Sequence, residues 1–300
     1  MKVGFVGLGV MGRPMCRNLL KAGYELTVFD VDGAALDEVV GYGAKRGVSS
    51  ADIAAGSDVV VVMVPNSPHV KAVVLGEGGL LKGAKAGLDI IDMSSIAPLE
   101  SKAIAQECGK QGVRMMDAPV SGGEPKAIDG TLSIMCGGPK EIFDKHYDLL
   151  CAMGGSVVHC GEVHGAGNTV KLANQIIVAA NIAACAEAYS LATMAGVDPQ
   201  KVFDAIRGGL AGSAVMDAKV PMMLDGNFKP GFRVELHIKD LGNALDTGHN
   251  LGAPMLLTSQ VQEMLYWLGK SGSGADDHSA ILKYYEMISG AQVRRPNDLS

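Results

Sequence analysis

The six cysteines, Cys16, Cys108, Cys136, Cys151, Cys160 and Cys185, never fall into a C-x-x-C pair, and the seven histidines show no H-E-x-x-H or related spacing. The usual zinc-site and dithiol signatures are therefore absent, and no metal is expected. Thiols scattered through apolar runs read as reduced core residues, which predicts a cytoplasmic setting. Positive charge is also scarce: 26 Lys and Arg against 32 Asp and Glu leave a net charge of -6, with no basic field to attract a nucleic acid. No unbroken apolar run reaches the roughly 20 residues of a membrane span. Met1-Lys2 leads straight into a glycine turn without an apolar leader, so no secretory signal is expected either. What the chain has is apolar bulk: 48% hydrophobic and 19% charged over 300 residues, a balance suited to a well-buried globular protein of two domains.

The first dozen residues hold the strongest motif. Lys2-Val3-Gly4-Phe5-Val6-Gly7-Leu8-Gly9-Val10-Met11-Gly12 reads as a strand, a three-glycine turn and a helix start. Unpaired N–H groups and the positive end of a helix dipole converge at such a turn, which suits a diphosphate. Gly7 permits the tight turn, Gly9 lets backbone approach the phosphates, and Gly12 allows the helix to pack on the strand. A second strand over 25–29 ends at Asp30, an acid at the distance that lets it accept hydrogen bonds from a ribose. In Asp30-Val31-Asp32 no arginine stands ready for a 2′-phosphate, so NAD is favoured, with NADP possible. Asp32 has a second reading, as the cap of the next helix.

Short β-rich runs continue at 58–64, 88–93, 113–117, 131–136 and 156–159, alternating with helical stretches. That alternation predicts a mainly parallel, doubly wound α/β sheet whose ligands gather at the carboxyl ends of its strands. Turn-forming clusters fall there: Val64 and Pro65 before Asn66-Ser67, Ser94-Ser95, and Ser121-Gly122-Gly123. Past Gly167 strand signals vanish. A helix is expected over 168–195, then others over 198–207, 214–224, 239–250, 258–270 and 277–289. The domains are thus set at 1–164, α/β and cofactor-binding, and 165–294, all-helical, with residues 295–300 as a frayed tail. The long helix is apolar on more than one side, which predicts burial against other helices or a second subunit, in a homodimer or homotetramer.

Lys171, Asn174 and Gln175 share one face of that helix. Two readings stand: a solvated helix start, or an ammonium that protonates an alkoxide as hydride reaches a carbonyl carbon. A free lysine titrates near about 10.4, so partial burial or a neighbouring cation would help, and Lys239 is a candidate cation. Lys239-Asp240 otherwise reads as a surface ion pair. The loop Asp117-Ala118-Pro119-Val120-Ser121-Gly122-Gly123 is either a plain glycine turn or a backbone nest for a carboxylate.

Four ordered blocks, 7–12, 117–123, 167–174 and 239–241, resemble the β-hydroxyacid dehydrogenase family nearly from end to end. The resemblance implies a Rossmann-type domain followed by an all-α domain like the C-terminal part of 6-phosphogluconate dehydrogenase. It also implies NAD(P)-dependent hydride transfer on a small 3-hydroxy acid or aldehyde acid. Stretches 65–71, 206–213 and 277–280 are most similar to the branch that reduces 2-hydroxy-3-oxopropanoate to glycerate. By the family's pattern Lys171 is the acid/base, Asn174 orients substrate, and Ser121, Gly122 and Gly123 hold its carboxylate. The turn from Gly7 through Leu8, Gly9, Val10 and Met11 to Gly12, with Asp30, Val64, Pro65, Ser95 and Lys239, contacts the cofactor. Val31 departs from relatives, which often carry arginine there, and residues 161–167 form a loop one residue longer than in close relatives.

Overall fold

The computed structural model describes residues 1–295, and the chain folds as two compact units, Met1–Lys171 and the remainder from Leu172. In the first unit the strands are β1 (Lys2–Val6), β2 (Glu25–Phe29), β3 (Lys45–Arg46), β4 (Val59–Val62), β5 (Asp89–Asp92), β6 (Arg114–Asp117), β7 (Val120–Ser121), β8 (Leu132–Gly137) and β9 (Gly154–Gly161). Eight form the order β3-β2-β1-β4-β5-β6-β8-β7, and β9 pairs with β8. Neighbours are parallel throughout, except that β8 runs antiparallel to β6 and β7. Between them lie α1 (Gly12–Lys21), α2 (Gly33–Gly41), α3 (Ser50–Gly56), α4 (Ser67–Leu75), α5 (Leu80–Gly83), α6 (Pro98–Gly109), α7 (Gly123–Asp129) and α8 (Lys140–Cys151).

The all-valine β4 shows why the central strands read as continuous apolar runs. Val59 and Val61 enter one core, with Phe5, Val28 and Ile91, while Val60 and Val62 enter the core on the opposite face, with Val6, Ile90 and Met115. A sheet covered on both faces leaves no polar alternation to detect. The two-residue strands β3 and β7 escape sequence reading for a different reason, since neither is long enough to show a period.

β5 is apolar only in its middle, and its two ends are buried aspartates in register with Arg114 and Asp117 of β6. Asp89 accepts from Arg114 Nε at 2.7 Å, Lys145 Nζ at 2.6 Å and His146 Nε2 at 2.8 Å. Burial opposes its charge, yet His146, Lys145 and Arg114 together hold its carboxyl well below the usual carboxylate range. This cluster ties α8 to the amino-terminal ends of the strands.

The second unit is helical: α9 (Ala166–Met194), whose first turns belong to the first unit, then α10 (Pro199–Ile206), α11 (Ala214–Leu224), α12 (Val234–Leu251), α13 (Leu256–Leu268) and α14 (Leu282–Ser289). Side chains cap several of them, as Asp198 does for α10 and Ser213 for α11. The core gathers Ile182, Ala186 and Tyr189 of α9 around Val220, Leu241, Leu265 and Leu282. By length and composition α9 could cross a bilayer, despite the absence of an unbroken apolar run, and 39% of its most apolar window is buried. Its buried residues supply this core.

Several sequence boundaries shift: α13 begins two residues before the expected 258, and α14 begins at Leu282, five residues after the expected 277, behind a short 3-10 turn over His278–Ile281. The first compact unit runs on to Lys171, because the start of α9 is hydrogen-bonded to the sheet. α12 begins at Val234, five residues before the expected 239, with Glu235 in its first turn. Of the supposed frayed tail, Arg295 is held by its N–H to Leu224 O at 3.0 Å and by an ion pair with Asp225 at 2.6 Å. Residues 296–300 lie outside the described residues.

Candidate active site

At the end of β1, Gly7 turns the chain with φ of 101°, and a Cβ there would lie 2.1 Å from Met63 O. A Cβ on Gly12 would lie 2.0 Å from Gly7 O, so these two glycines are required by backbone contact alone. Gly9 is different, because a Cβ added to it would meet no heavy atom within 4 Å. Open space therefore sits beside the start of α1, whose first turn carries no acidic residue. An anion fits that position.

Asp30 braces the turn, accepting from Leu8 N at 2.5 Å and from Asp32 N at 2.8 Å. Asp32 is the cap of α2, accepting from Ala34 N at 2.9 Å. Between them Val31 is 94% exposed. Further along α1 the buried Asn18 donates to Ala127 O at 2.7 Å, tying the helix that follows the glycine turn to α7, which follows Ser121. Gly122 and Gly123 take φ of 133° and 69°, consecutive left-handed values that favour glycine. Ser121 itself pairs in β7 with Ser133 of β8.

At the carboxyl ends of the strands the polar clusters are wired to one another. Val64 N donates to Ser94 Oγ at 3.0 Å, and Ser94 N donates to Asp92 Oδ1 at 3.0 Å. Next to the half-buried Ser95, Ile96 N donates to Asn168 Oδ1 at 3.1 Å. Asp117, fully buried, accepts from Gly165 N at 2.6 Å and Asn168 N at 2.8 Å, and so caps the start of α9. Its bond to Gly165 anchors the short connection from β9 to α9. Contact there is close: a Cβ on Gly167 would lie 2.1 Å from Met135 O, and one on Gly137 would lie 2.3 Å from Gly167 N.

Burial pushes the Asp92 carboxyl up to about 7 against the bonds from Ser94, and the neighbouring Asp117 adds to the rise. Burial likewise pushes Asp117 up to about 6, against its backbone donors at Gly165, Asn168 and Gly167. A carboxyl that binds its proton more tightly when folded than when unfolded loses stability as pH rises from the unfolded value through the folded one. For Asp92 that window runs from about 4 to about 7. Asp92→Asn, which keeps the acceptor for Ser94 N, removes this loss. We expect the melting temperature of the wild type to fall between pH 5 and pH 8 by roughly 2–5 °C more than that of the variant, read by scanning fluorimetry. Parallel curves would assign the pH dependence elsewhere.

Lys171 is not a solvated helix residue, since only 7% of it is exposed. One turn on, Asn174 Nδ2 donates to Gln175 Oε1 at 2.9 Å, and Gln175 Nε2 donates to Asp240 Oδ2 at 2.6 Å. Lys239 stands 3.1 Å from Asp240 Oδ1, and Asp240 is 2% exposed, so this ion pair is buried at its acidic end rather than lying on the surface. Inside α12, His237 Nε2 lies 3.2 Å from Gln175 O and its Nδ1 lies 2.8 Å from His278 Nδ1. Lone polar residues in apolar surroundings give no period, which is why Asp92, Asp117, Gln175, Asp240 and His237 escape sequence reading as a supporting set. Their common signal is a polar side chain at the end of a buried strand or on a buried helix face.

Residues 2–161 match the family described as the NAD binding domain of 6-phosphogluconate dehydrogenase, and residues 165–285 match that described as the NAD-binding of NADP-dependent 3-hydroxyisobutyrate dehydrogenase. Over 293 residues, 98% of this chain and 100% of the relative, the sequence is 40% identical to the 2-hydroxy-3-oxopropionate reductase of Escherichia coli (strain K12). The chain belongs to the β-hydroxyacid dehydrogenase family. Among other β-hydroxyacid dehydrogenases it is 36% identical to the 2-(hydroxymethyl)glutarate dehydrogenase of Eubacterium barkeri, covering 97% of each chain. The Mycobacterium tuberculosis 3-hydroxyisobutyrate dehydrogenase, solved with L-serine, superposes with a TM-score of 0.86 at 30% identity over 94% of this chain and 98% of that one. Like its relatives this β-hydroxyacid dehydrogenase uses NAD(P), and the open space at Gly9 fits that group.

Proposed function

We propose that this β-hydroxyacid dehydrogenase reduces 2-hydroxy-3-oxopropanoate to glycerate, reversibly, with Lys171 as general acid in the direction of reduction. The observation that carries the reading is the buried lysine one helical turn from Asn174, on a helix whose start is fixed by Asp117. NAD(P)H, when bound, supplies the hydride that reaches the aldehyde carbon. Lys171 Nζ gives its proton to the aldehyde oxygen as charge develops there. Backbone N–H groups at Ser121, Gly122 and Gly123 hold the substrate carboxylate, and Asn174 binds its hydroxyl. Gly7 to Gly12, Asp30, Val64, Pro65, Ser95 and Lys239 hold the cofactor. Positioning supplies much of the rate.

The 40% identity to a 2-hydroxy-3-oxopropionate reductase supports this substrate, and so does the L-serine in the structure of a relative, which like the product glycerate is a three-carbon carboxylate with a 3-hydroxyl. A second reading, 3-hydroxyisobutyrate, is favoured by the match over residues 165–285. NADH-dependent rates across 2-hydroxy-3-oxopropanoate, methylmalonate semialdehyde, succinic semialdehyde and glyoxylate separate the two, and a chain inactive on all four would overturn both.

NAD is the preferred form in this reading, because Asp30 carries negative charge to the ribose side and Val31 offers nothing to a 2′-phosphate. Val31→Arg, at a 94% exposed site where the fold tolerates it, is expected to move the kcat/KM ratio of NADPH to NADH upward by about tenfold or more. An unmoved ratio would detach Asp30 and Val31 from the adenosine ribose. A cytoplasmic setting accords with six free cysteines. Self-association through α9 accords with its exposed apolar residues Ile177, Leu191 and Met194.

A further inference from the structure

The side chains of Asn174, Gln175 and Asp240 form a chain in which the chemistry of the last fixes the orientation of the first. An amide can present either its oxygen or its nitrogen to a neighbour, and the two ends have nearly the same shape. A carboxylate only accepts. Asp240, paired with the Lys239 ammonium at 3.1 Å, therefore requires the NH2 of Gln175, which it receives at 2.6 Å. That commits Gln175 Oε1 to the other side, where it accepts from Asn174 Nδ2 at 2.9 Å. The NH2 of Asn174 is thereby turned toward Gln175 and its carbonyl oxygen away from it. His237 holds the middle of the chain from a second direction, donating to the main-chain oxygen of Gln175 at 3.2 Å. All three amide and carboxyl groups sit on α9 and α12, with Gln175 and Asp240 buried.

We propose that Asp240 is a positioning residue that sets the polarity of Asn174 through Gln175, so that Asn174 meets substrate with its carbonyl oxygen as an acceptor for a hydroxyl. This rests on the reading that Asn174 binds substrate. It makes the chain selective for 2-hydroxy aldehyde acids over those lacking the hydroxyl, since a substrate without that group forgoes the hydrogen bond this oxygen accepts.

The test reverses the polarity of two members and restores it. In Asp240→Asn the new amide either donates or accepts, and the orientation of Gln175 and Asn174 is no longer dictated. In Gln175→Glu two carboxylates face one another, and their repulsion drives the new carboxylate out of line with Asn174. When both substitutions are combined, the amide introduced on α12 donates to the carboxylate introduced on α9. That carboxylate again accepts from Asn174, so the polarity at Asn174 returns. Each single variant is expected to lower kcat/KM for 2-hydroxy-3-oxopropanoate on the order of tenfold to a hundredfold. KM should carry much of the loss, discrimination against succinic semialdehyde should fall with it, and the double variant should recover most of both. Gln175→Met, which fills the space without an amide, gives the same comparison where Asp240→Asn does not fold.

Side-chain amide hydrogen exchange in the ligand-free protein reads the chain without turnover. The Gln175 NH2 should be protected in the wild type and lose protection in Asp240→Asn, and the Asn174 NH2 should be protected again in the double variant. A double variant no better than the worse single, or unprotected amides in the wild type, would overturn the relay. A wild type that exchanges as expected yet reduces no aldehyde acid would sink the functional reading and leave the relay standing.

Discussion

Lys171→Met lowers turnover by about a thousandfold while leaving the fold and the NADH dissociation constant unchanged. The magnitude follows from what a positioned proton donor contributes, and the choice of methionine follows from burial. With 7% of Lys171 exposed, truncation to alanine would leave a cavity, whereas methionine fills the volume without the amine. Methionine keeps the packing at this site, so the variant should melt close to the wild type. Turnover is read from NADH absorbance, affinity from NADH fluorescence, and stability from thermal melting. Partial recovery of Lys171→Ala by added ethylamine would place the lost group at the chemical step. A variant retaining near-normal turnover would remove Lys171 from the mechanism.

Asp117→Ala should cost the first unit about 3 kcal/mol and reduce kcat as well. Both oxygens of this fully buried carboxylate accept main-chain N–H groups, Gly165 at 2.6 Å and Asn168 at 2.8 Å, where the positive end of α9 points. Alanine strips those donors of their acceptor in a place water reaches poorly. The effect on rate follows because Lys171 lies in the turn after Asn168, and a loosened start of α9 no longer fixes its height. The stability loss is expected to grow toward low pH. Burial has raised this carboxyl to about 6, above its unfolded value, so the wild type gains stability as pH falls from about 6 toward about 4, a gain the alanine variant lacks. Chemical denaturation at pH 5 and at pH 8 measures the difference, and equal losses at the two would show that Asp117 binds its proton no more tightly in the folded chain than in the unfolded one.

The architecture was legible because its signals are local. The glycine turn and the apolar strands are each written within a few residues, and each forms where expected. The second unit's helices emerged from apolar periodicity, with α11 at the expected bounds. α12 begins earlier than the expected 239 because nothing local marks its start: the residue before it, Arg233, makes no side-chain capping bond. The nominated site residues could be named individually, yet their supports could not. Asp117 holds Gly165 across 48 positions of sequence and Gln175 meets Asp240 across 65, and no spacing rule spans such distances. For the same reason Lys239-Asp240 read as a superficial pair, its burial being a property of the packed helices alone.

The three glycines of the opening turn answer to different masters. Positions 7 and 12 are held by the backbone itself, and a methyl at either collides with a carbonyl whether or not anything is bound. Position 9 has no such guardian in the protein. A descendant that stopped using a nucleotide would keep the outer two to fold at all and let the middle one drift, so the residue found there records whether a lineage still has a guest to accommodate.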